Sequence, residues 1–368
     1  MERAAVILAG GRSERFQRTG EPWVDKALTV VNGKTILERM VVQLRSCVDE
    51  IAISVSSEES KRSYFQALPS RIAKDIRIVI DDVGSAGPLA GIATSIKHID
   101  AKQLLVLPCD IPFLNPAVVT AIFERIRASD AAVPVWPNGV LEPLMAVYKG
   151  SRIRSCCPML SSAGRRRPSD LIRASGQVTF VSIENDLMVL DPEHRSFFSI
   201  NYRDDVGRTM SAPLPEGSVN ATFAVPVSLV QDRDLLTVSN AVEAITRPED
   251  RSIDRVIDYV RKVRGYFWAA FLAEAAAKSL SVLRRSLQED QMKLFEDAAH
   301  AYRLEARFHL KHGLLPLRAH ALLDEAWCWR KTCKEDRSRY ALRAAASIYA
   351  RLGLDARKSR ALSTWKPR

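Results

Sequence analysis

The chain has 368 residues, of which 47% are hydrophobic and 7% aromatic, and its formal net charge is +11. This length favours two domains, and no window approaches the roughly 18 consecutive apolar residues typical of a transmembrane helix. We expect no signal peptide, because a core strand begins soon after Met1. We also expect the six cysteines to be reduced thiols of a cytoplasmic protein, because they form no C-x-x-C pair.

Up to about residue 211 the sequence alternates short apolar runs with amphipathic segments. The clearest amphipathic segment, Thr35–Cys47, opens with a Thr35-x-x-Glu38 capping box and keeps its apolar residues on one stripe. This alternation predicts an α/β fold with a Rossmann-like, mostly parallel sheet and helices on both faces. The predicted strands are Ala4–Leu8, Ile51–Val55, Ile76–Ile80, Leu104–Leu107, Ala132–Val135 and Leu144–Tyr148.

A Pro- and Gly-rich stretch, Ser211–Gly217, predicts a linker between domains 1–212 and 218–368. After a strand-like Thr222–Leu229, helices are predicted from about residue 239 to the end. A set of small and apolar residues in this part recurs at a constant offset, which is typical of a tetratricopeptide-like (TPR-like) array. Coincidence in an Ala-, Leu- and Arg-rich bundle is the alternative. The recurring residues are Ala306, Gly313, Leu314, Ala321 and Leu322, which return as Ala346, Gly353, Leu354, Ala361 and Leu362.

The positive charge is concentrated in the helical half, where residues 217–368 carry +9 of the total of +11. A basic domain of this kind predicts an acidic protein partner or a phosphorylated ligand, with a merely solvated helical surface as the alternative. A nucleic-acid partner is not favoured, because basic and aromatic residues are not interleaved. No membrane association is expected.

The first strand ends in two glycines, in Leu8-Ala9-Gly10-Gly11, and Lys26 follows. Such a loop exposes backbone N–H groups that can face a phosphate or a base edge, and a lysine can add a point charge to the same phosphate. The loop matches neither G-x-G-x-x-G nor G-x-x-x-x-G-K-[ST]. Phosphate binding and a structural turn are therefore both open on these residues alone.

Two further strands end in carboxylates. Asp110 follows the run Leu104–Pro108, at the strand end where α/β sheets bind ligands, and it is well placed to hold Mg²⁺. Asp81 and Asp82 precede a loop that leads to Gly87-Pro88-Leu89-Ala90-Gly91. A helix cap is the alternative for Asp110, and a solvent-facing turn is the alternative for the Asp pair.

Four motifs occur in order across residues 8–114, namely L-A-G-G-x-S-x-R, D-K-A-L, I-D-D with G-P-L-A-G, and P-C-D-I-P-F-L. Together they resemble the molybdenum cofactor guanylyltransferase family, whose members are nucleotidyltransferases of the nucleoside-diphospho-sugar transferase fold. Glu142-Pro143-Leu144, Gly164–Arg167 and Ser199–Val206 resemble later motifs of that family. The resemblance covers about residues 4–207 and leaves the helical half outside.

The resemblance implies roles for individual residues. Lys26 and Asp110 would be catalytic, with Lys26 at the nucleotide phosphates and Asp110 holding Mg²⁺, while Asp82 would lie by the nucleoside. Asn201 would lie near the metal or the pterin substrate. Arg165 and Arg166, just before a predicted helix start, are predicted to hold the anionic acceptor, with an exposed surface run as the alternative. The full nucleotide-binding set is Leu8, Ala9, Gly10, Gly11, Arg15, Lys26, Asp82, Gly87, Pro88 and Leu89.

The implied reaction is Mg²⁺-dependent transfer of GMP from GTP to the phosphate of molybdopterin, with release of pyrophosphate. Two alternatives remain. One is transfer of CMP, UMP or GMP to a sugar, polyol or phospholactate phosphate, and the other is a non-catalytic nucleotide-binding adaptor with a helical docking scaffold. The sequence also departs from the family pattern: Gln17–Trp23 lengthens a loop, and consensus residues are replaced at Glu142, Ser199, Tyr202 and Arg203.

Overall fold

The structure is a computed structural model that describes residues 1–11, 13–74, 76–82, 87–206, 214–245, 252–283 and 288–363. The chain separates into two compact units. The first unit comprises residues 1–137, 141–171 and 178–224, and the second comprises residues 138–140, 172–177 and 225–368. The predicted domains 1–212 and 218–368 remain a prediction, and residues 211–213 of the predicted linker lie outside the described residues. The second unit differs from the predicted helical domain because it includes two short segments from before residue 218.

The main sheet has eight strands in the described part of the chain, in the order β10-β9-β7-β8-β6-β1-β4-β5. Strand β8 runs antiparallel to β6 and β7, whereas β1, β4, β5 and β6 are mutually parallel, as are β7 and β9. This confirms the predicted mostly parallel α/β sheet. The strands are β1 (Arg3–Leu8), β2 (Val30–Val31), β3 (Lys34–Thr35), β4 (Glu50–Val55), β5 (Ile76–Ile80), β6 (Gln103–Pro108), β7 (Ala131–Val135), β8 (Ala146–Lys149), β9 (Gln177–Ser182) and β10 (Phe223–Pro226).

Three features of the sheet differ from the sequence prediction. Strand β9 and the small β2–β3 pair were not predicted. The predicted strand Leu144–Tyr148 is observed at Ala146–Lys149, because Met145 belongs to a turn in which its N–H donates to the carbonyl of Glu142 at 3.0 Å. The strand-like Thr222–Leu229 is observed as the shorter β10.

Helices α1–α7 connect the strands. The predicted Thr35–Cys47 helix is observed as α1, and the hydroxyl of Thr35 caps it by accepting the N–H of Glu38 at 3.1 Å. Helix α4 lies close to the sheet because Gly91 has no side chain: a Cβ there would come 2.4 Å from the Ser54 hydroxyl. The seven helices are α1 (Ile36–Leu44), α2 (Glu58–Ala67), α3 (Ser70–Ala73), α4 (Pro88–Ser95), α5 (Pro116–Arg125), α6 (Gly150–Ser162) and α7 (Ser169–Ala174).

The second unit is built mainly of helices, which begin at Asp232 rather than near residue 239. Ala306 and Ala321 share one apolar cluster with Ala346 and Ala361, the residues that recur 40 positions later in the sequence. The TPR-like assignment itself remains a prediction. None of the described helices is long and apolar enough to cross a membrane. The helices are α8 (Asp232–Ala244), α9 (Ser252–Lys262), α10 (Tyr266–Leu283), α11 (Gln288–Lys311), α12 (Leu315–Lys331), α13 (Glu335–Arg351) and α14 (Asp355–Ser363).

A buried ionic cluster lies within the second unit. The guanidinium of Arg173 donates from Nε and Nη2 to the two carboxylate oxygens of Glu305, both at 2.7 Å, and from Nη1 to Asp324 at 2.6 Å. His309 Nε2 lies 3.0 Å from the Glu305 carboxylate. Burial alone would raise the pKa of Glu305, but the charge and hydrogen bonds of Arg173, with a smaller contribution from His309, together outweigh it and lower that pKa. A residue from before residue 218 thus neutralises carboxylates in the helical core.

Candidate active site

The sheet brings two of the predicted loops side by side. Strands β1 and β6 are parallel neighbours, with Leu8 opposite Pro108. The Gly-rich loop after β1 and the Cys109-Asp110 segment after β6 therefore leave the same edge of the sheet. This is the edge at which ligands bind in open α/β sheets.

Lys26 and Asp110 form an ion pair at this edge. Lys26 Nζ donates to Asp110 Oδ2 at 2.6 Å, and the two side chains are only 13% and 15% exposed. The other carboxylate oxygen, Asp110 Oδ1, is buried and has no hydrogen-bond partner among the described residues. A buried carboxylate oxygen without a donor fits a hard cation such as Mg²⁺.

One carboxylate is enough for such a cation when a nucleotide is present. Among the described residues no group of three or more His, Cys, Asp and Glu side chains is arranged to hold a metal ion. Mg²⁺ is commonly held by one or two carboxylates together with substrate phosphates and water. The residues present therefore fit Mg²⁺ as a partner of a bound triphosphate, with Asp110 as the protein ligand.

A buried pair that the sequence analysis missed supports the lysine. Tyr64 is fully buried, and its hydroxyl donates to Asp25 Oδ2 at 2.7 Å and lies 3.4 Å from the carbonyl oxygen of Ala9. Asp25 in turn accepts the N–H of Ala27 at 2.9 Å, which caps the short turn carrying Lys26. Burial raises the pKa of both Asp25 and Tyr64. This pair fixes the lysine turn relative to the Gly-rich loop.

The two neighbouring carboxylates after β5 face different surroundings. A Cβ added at Gly10 would come 2.7 Å from Asp81 Oδ2, and Asp81 also accepts a hydrogen bond from Ser54. Burial raises the pKa of Asp81. Asp82, the residue predicted from the sequence, is 51% exposed and accepts from Lys97 Nζ at 2.6 Å, a hydrogen bond that lowers its pKa. Asp81, rather than Asp82, thus faces the Gly-rich loop.

The Gly87-Pro88-Leu89 segment lies beside the basic run. Gly87 has φ +88°, a conformation that favours glycine, and a Cβ there would come 3.2 Å from Cβ of Arg166. Leu89 is fully buried, so its side chain belongs to the core. Arg165 is only 9% exposed, with Nη1 3.7 Å from Asp170 Oδ2, whereas Arg166 is exposed.

Several of the other predicted residues line two adjoining cavities. The first, of about 400 Å³, is lined by Arg15, Lys26 and Asn201 and is called the basic cavity below. The second, of about 390 Å³, is lined by Ala9 and Gly11 of the Gly-rich loop. Glu14 lines both. The structure therefore gathers Arg15, Lys26 and Asn201 in one place and the Gly-rich loop backbone in the next.

A Gly-rich loop, a lysine and a strand-end carboxylate on a mostly parallel sheet define an α/β nucleotide-dependent transferase. Comparison with known proteins names the family. The chain belongs to the MobA-like NTP transferases: the model of the MobA-like NTP transferase domain matches residues 5–178. It is accordingly a nucleotidyltransferase.

Two curated relatives support this assignment by their sequence identity. The probable molybdenum cofactor guanylyltransferase of Methanosarcina mazei is 34% identical over 207 residues, which cover 55% of this chain and 88% of the relative. The protein of the same description from Natronomonas pharaonis is 31% identical over 209 residues, covering 56% of this chain and 96% of the relative. Among solved structures, molybdopterin-guanine dinucleotide biosynthesis protein A from Archaeoglobus fulgidus has 23% identity and a TM-score of 0.44, covering 55% of this chain and 94% of that chain.

Proposed function

We propose that the protein transfers GMP from GTP to the phosphate of molybdopterin, or of its metal-bound form, with release of pyrophosphate and with dependence on Mg²⁺. The names of the relatives support this choice of substrates. The observation that carries it is the environment of Asp110: one carboxylate oxygen accepts from Lys26, and the other is buried with no donor in the part of the chain that the structure describes.

The residues of this chain position the substrates and neutralise charge, and none of them is needed as a general base. The acceptor phosphate is already anionic, so its oxygen can form a bond to the α-phosphorus of GTP while the bond to pyrophosphate breaks. Lys26 would bind the triphosphate oxygens and neutralise their charge as pyrophosphate leaves. Bound Mg²⁺ would supply further charge neutralisation at the phosphates.

The acceptor side of the proposal rests on Asn201 and the basic run. Asn201 lines the basic cavity together with Lys26, and Arg166 lies beside Gly87. Arg165 is held close to Asp170, so we assign it the smaller share of acceptor binding. Substitution of Arg166 by Ala should raise the acceptor's KM and leave that of GTP unchanged.

A nucleotide panel tests the proposal. With Mg²⁺ present, GTP should raise the melting temperature of the protein more than ATP, CTP or UTP does, and GTP with molybdopterin should yield the dinucleotide and pyrophosphate. Equal stabilisation by all four nucleotides would contradict the guanine assignment. Turnover with CTP or UTP and a sugar, polyol or phospholactate phosphate would replace the substrates, and nucleotide binding without any turnover would indicate an adaptor.

Two variants test the metal and the lysine separately. Asp110→Asn should lower kcat by at least about 100-fold, the usual cost of removing one aligned electrostatic group, while binding of metal-free GTP survives. Lys26→Ala should weaken GTP binding itself. Asp100→Asn is a matched control, since Asp100 is 93% exposed, and turnover equal to wild type in Asp110→Asn would remove the metal assignment.

For the helical domain we propose an acidic protein partner, on the basis of its +9 charge. Binding of this domain to such a partner should weaken as ionic strength rises.

A further inference from the structure

The lengthened loop Gln17–Trp23 and the following Val24, together called the 17–24 loop, are held together by the side chain of Gln17. Gln17 Nε2 donates to the carbonyls of Ser13 and Val24, at 3.0 and 2.9 Å, and Gln17 Oε1 accepts the N–H of Val24 at 3.0 Å. Both ends of the 17–24 loop are thereby tied together next to the Gly-rich loop. The loop has a defined backbone rather than being a loose insertion.

Arg203, which replaces a consensus residue of the family, packs on the 17–24 loop. Arg203 donates from Nε to the carbonyl of Phe16 at 3.1 Å and from Nη2 to that of Pro22 at 3.3 Å, and it pairs with Glu21. Its neighbour Asp204 accepts from Arg18. The replaced residue Arg203 and the 17–24 loop thus form one braced structure.

This brace presents a tryptophan to the second cavity. Trp23 is 60% exposed, yet it lines the 390 Å³ cavity beside Ala9 and Gly11, with Ser56 and Ser60 as further lining residues. An exposed indole on a fixed backbone offers a flat apolar face at little entropic cost, and aromatic faces pack well on other rings.

The two cavities differ in charge as the two ends of a nucleotide do. Arg15 and Lys26 line the basic cavity together with Glu14, whereas the charged residues among the described lining of the cavity that holds Trp23 are the carboxylates Glu14 and Asp25. A triphosphate suits the former, and a neutral heteroaromatic ring suits the latter. The Ser56 and Ser60 hydroxyls and the loop backbone can meet the polar edge of such a ring.

We propose that Trp23 is a nucleotide-binding residue that stacks on the nucleobase, and that Gln17 and Arg203 hold it in place. This inference rests on the proposed function insofar as the ligand is a nucleoside triphosphate.

The experiment compares a ligand that has a base with one that lacks it. Dissociation constants for GTP and for inorganic tripolyphosphate are measured on the full chain and on Trp23→Ala, Trp23→Phe and Phe65→Ala. The last is a matched control, because Phe65 is an equally exposed aromatic residue, at 59%, that does not line the cavity. Trp23→Ala should weaken GTP binding about 5- to 150-fold, the range for loss of one stacked base, whereas Trp23→Phe should keep most of the affinity. Tripolyphosphate binding should not change in any variant.

Arg203→Met tests the brace. It should weaken GTP binding in the wild-type background and have little further effect in Trp23→Ala, because a positioning residue acts only through the residue that it positions. Equal losses in both backgrounds would overturn the positioning role.

The remaining outcomes separate the two proposals. An unchanged GTP affinity in Trp23→Ala, or an equal loss for GTP and tripolyphosphate, overturns the stacking role and leaves the proposed function standing. If the wild-type protein binds CTP or UTP but not GTP, the proposed function fails, and the same variants test stacking on that nucleotide. If it binds no nucleoside triphosphate, both fail.

Discussion

At the scale of single residues, Asp81 and Asp82 are chain neighbours with opposite surroundings. Asp81 accepts from Ser54 and lies next to Gly10, while Asp82 is exposed and paired with Lys97. We therefore expect Asp81→Asn to weaken GTP binding about 10-fold or more, as for loss of a hydrogen bond to a charged group. Asp82→Asn, the matched control, should stay within about twofold of wild type. Calorimetric titration measures both, and a larger loss in Asp82→Asn would support the sequence-based assignment of Asp82 to the nucleoside.

The sequence predicted the loops of the site better than the orientation of their side chains. The Gly-rich loop, Lys26 and Asp110 could be selected because each follows an apolar strand and the strand ends meet at one edge. The choice between Asp81 and Asp82 depends on backbone direction after β5 ends at Ile80, which a residue pattern does not encode. The role of Tyr64 could not be predicted from the sequence either, because a single tyrosine on an amphipathic helix is indistinguishable from an ordinary core residue.

At the scale of elements, the last helices of the second unit are joined by three turns of one design. The N–H groups of Leu314, Lys334 and Leu354 donate to carbonyls five residues earlier, at 2.9, 3.0 and 2.8 Å. The preceding residues are left-handed, with φ +72° at Gly313, +56° at Cys333 and +70° at Gly353. The residues that recur at a 40-residue offset include the two glycines of these turns. The turn at Cys333 was missed, because cysteine does not indicate a turn in a sequence.

The backbone at Cys333 should therefore be strained, whereas the equivalent turns at Gly313 and Gly353 should not be. A residue with a Cβ costs about 1–2 kcal/mol in the left-handed region, so Cys333→Gly should raise the free energy of unfolding of the helical unit by about 1 kcal/mol. Gly313→Ala should lower it by a similar amount. Urea unfolding followed by helical circular dichroism measures both, and Cys333→Ala controls for loss of the thiol. A destabilised Cys333→Gly variant would contradict the strain.

At the scale of the whole molecule, the second unit depends on Arg173. Arg173 is fully buried between Glu305 and Asp324, and removing one partner of a buried ion pair typically costs about 3–5 kcal/mol. Arg173→Met should lower the free energy of unfolding of the helical unit by that amount in the full chain. Arg261→Ala, which breaks an exposed pair with Asp258, should change it by less than about 1 kcal/mol. Equal effects of the two substitutions would show that the cluster is not essential.

The same cluster should make stability depend on pH. Burial lowers the pKa of His309 below its ordinary 6.5, and the pKa of Glu305 is held below its ordinary 4.5. For both groups the unfolded chain binds the proton more tightly, so their contributions are complete above pH 6.5 and 4.5 respectively. Each contribution falls as pH drops toward the folded pKa, by up to about 1.4 kcal/mol per pH unit for one proton. In urea titrations between pH 7 and 4, His309→Gln should remove the loss below pH 6.5 and keep that below pH 4.5.

Composition predicts a change from α/β to helical sequence near residue 217, but it does not predict which segments belong to each compact unit. The Pro- and Gly-rich stretch and the shift in charge both mark the chain near residue 217. Residues 172–177 belong to the second unit, yet they carry no composition that differs from their neighbours. Their place is revealed by long-range contacts, namely the pairing of Arg173 with carboxylates 132 and 151 residues further along the chain and the hydrogen bond from Trp268 to the carbonyl of Ala174.

That long-range pairing sets an order of events during synthesis. Ribosomes add about 5–20 residues per second, so Asp324 is made roughly 8–30 s after Arg173, given their separation of 151 residues. Until Glu305 is made, 132 residues after Arg173, the guanidinium has no carboxylate from α11 or α12 to neutralise it. Arg173 therefore reaches its buried, paired environment only after the C-terminal helices have been made. A ribosome stalled before Glu305 would hold a chain with this arginine still in water, open to chaperones or proteases.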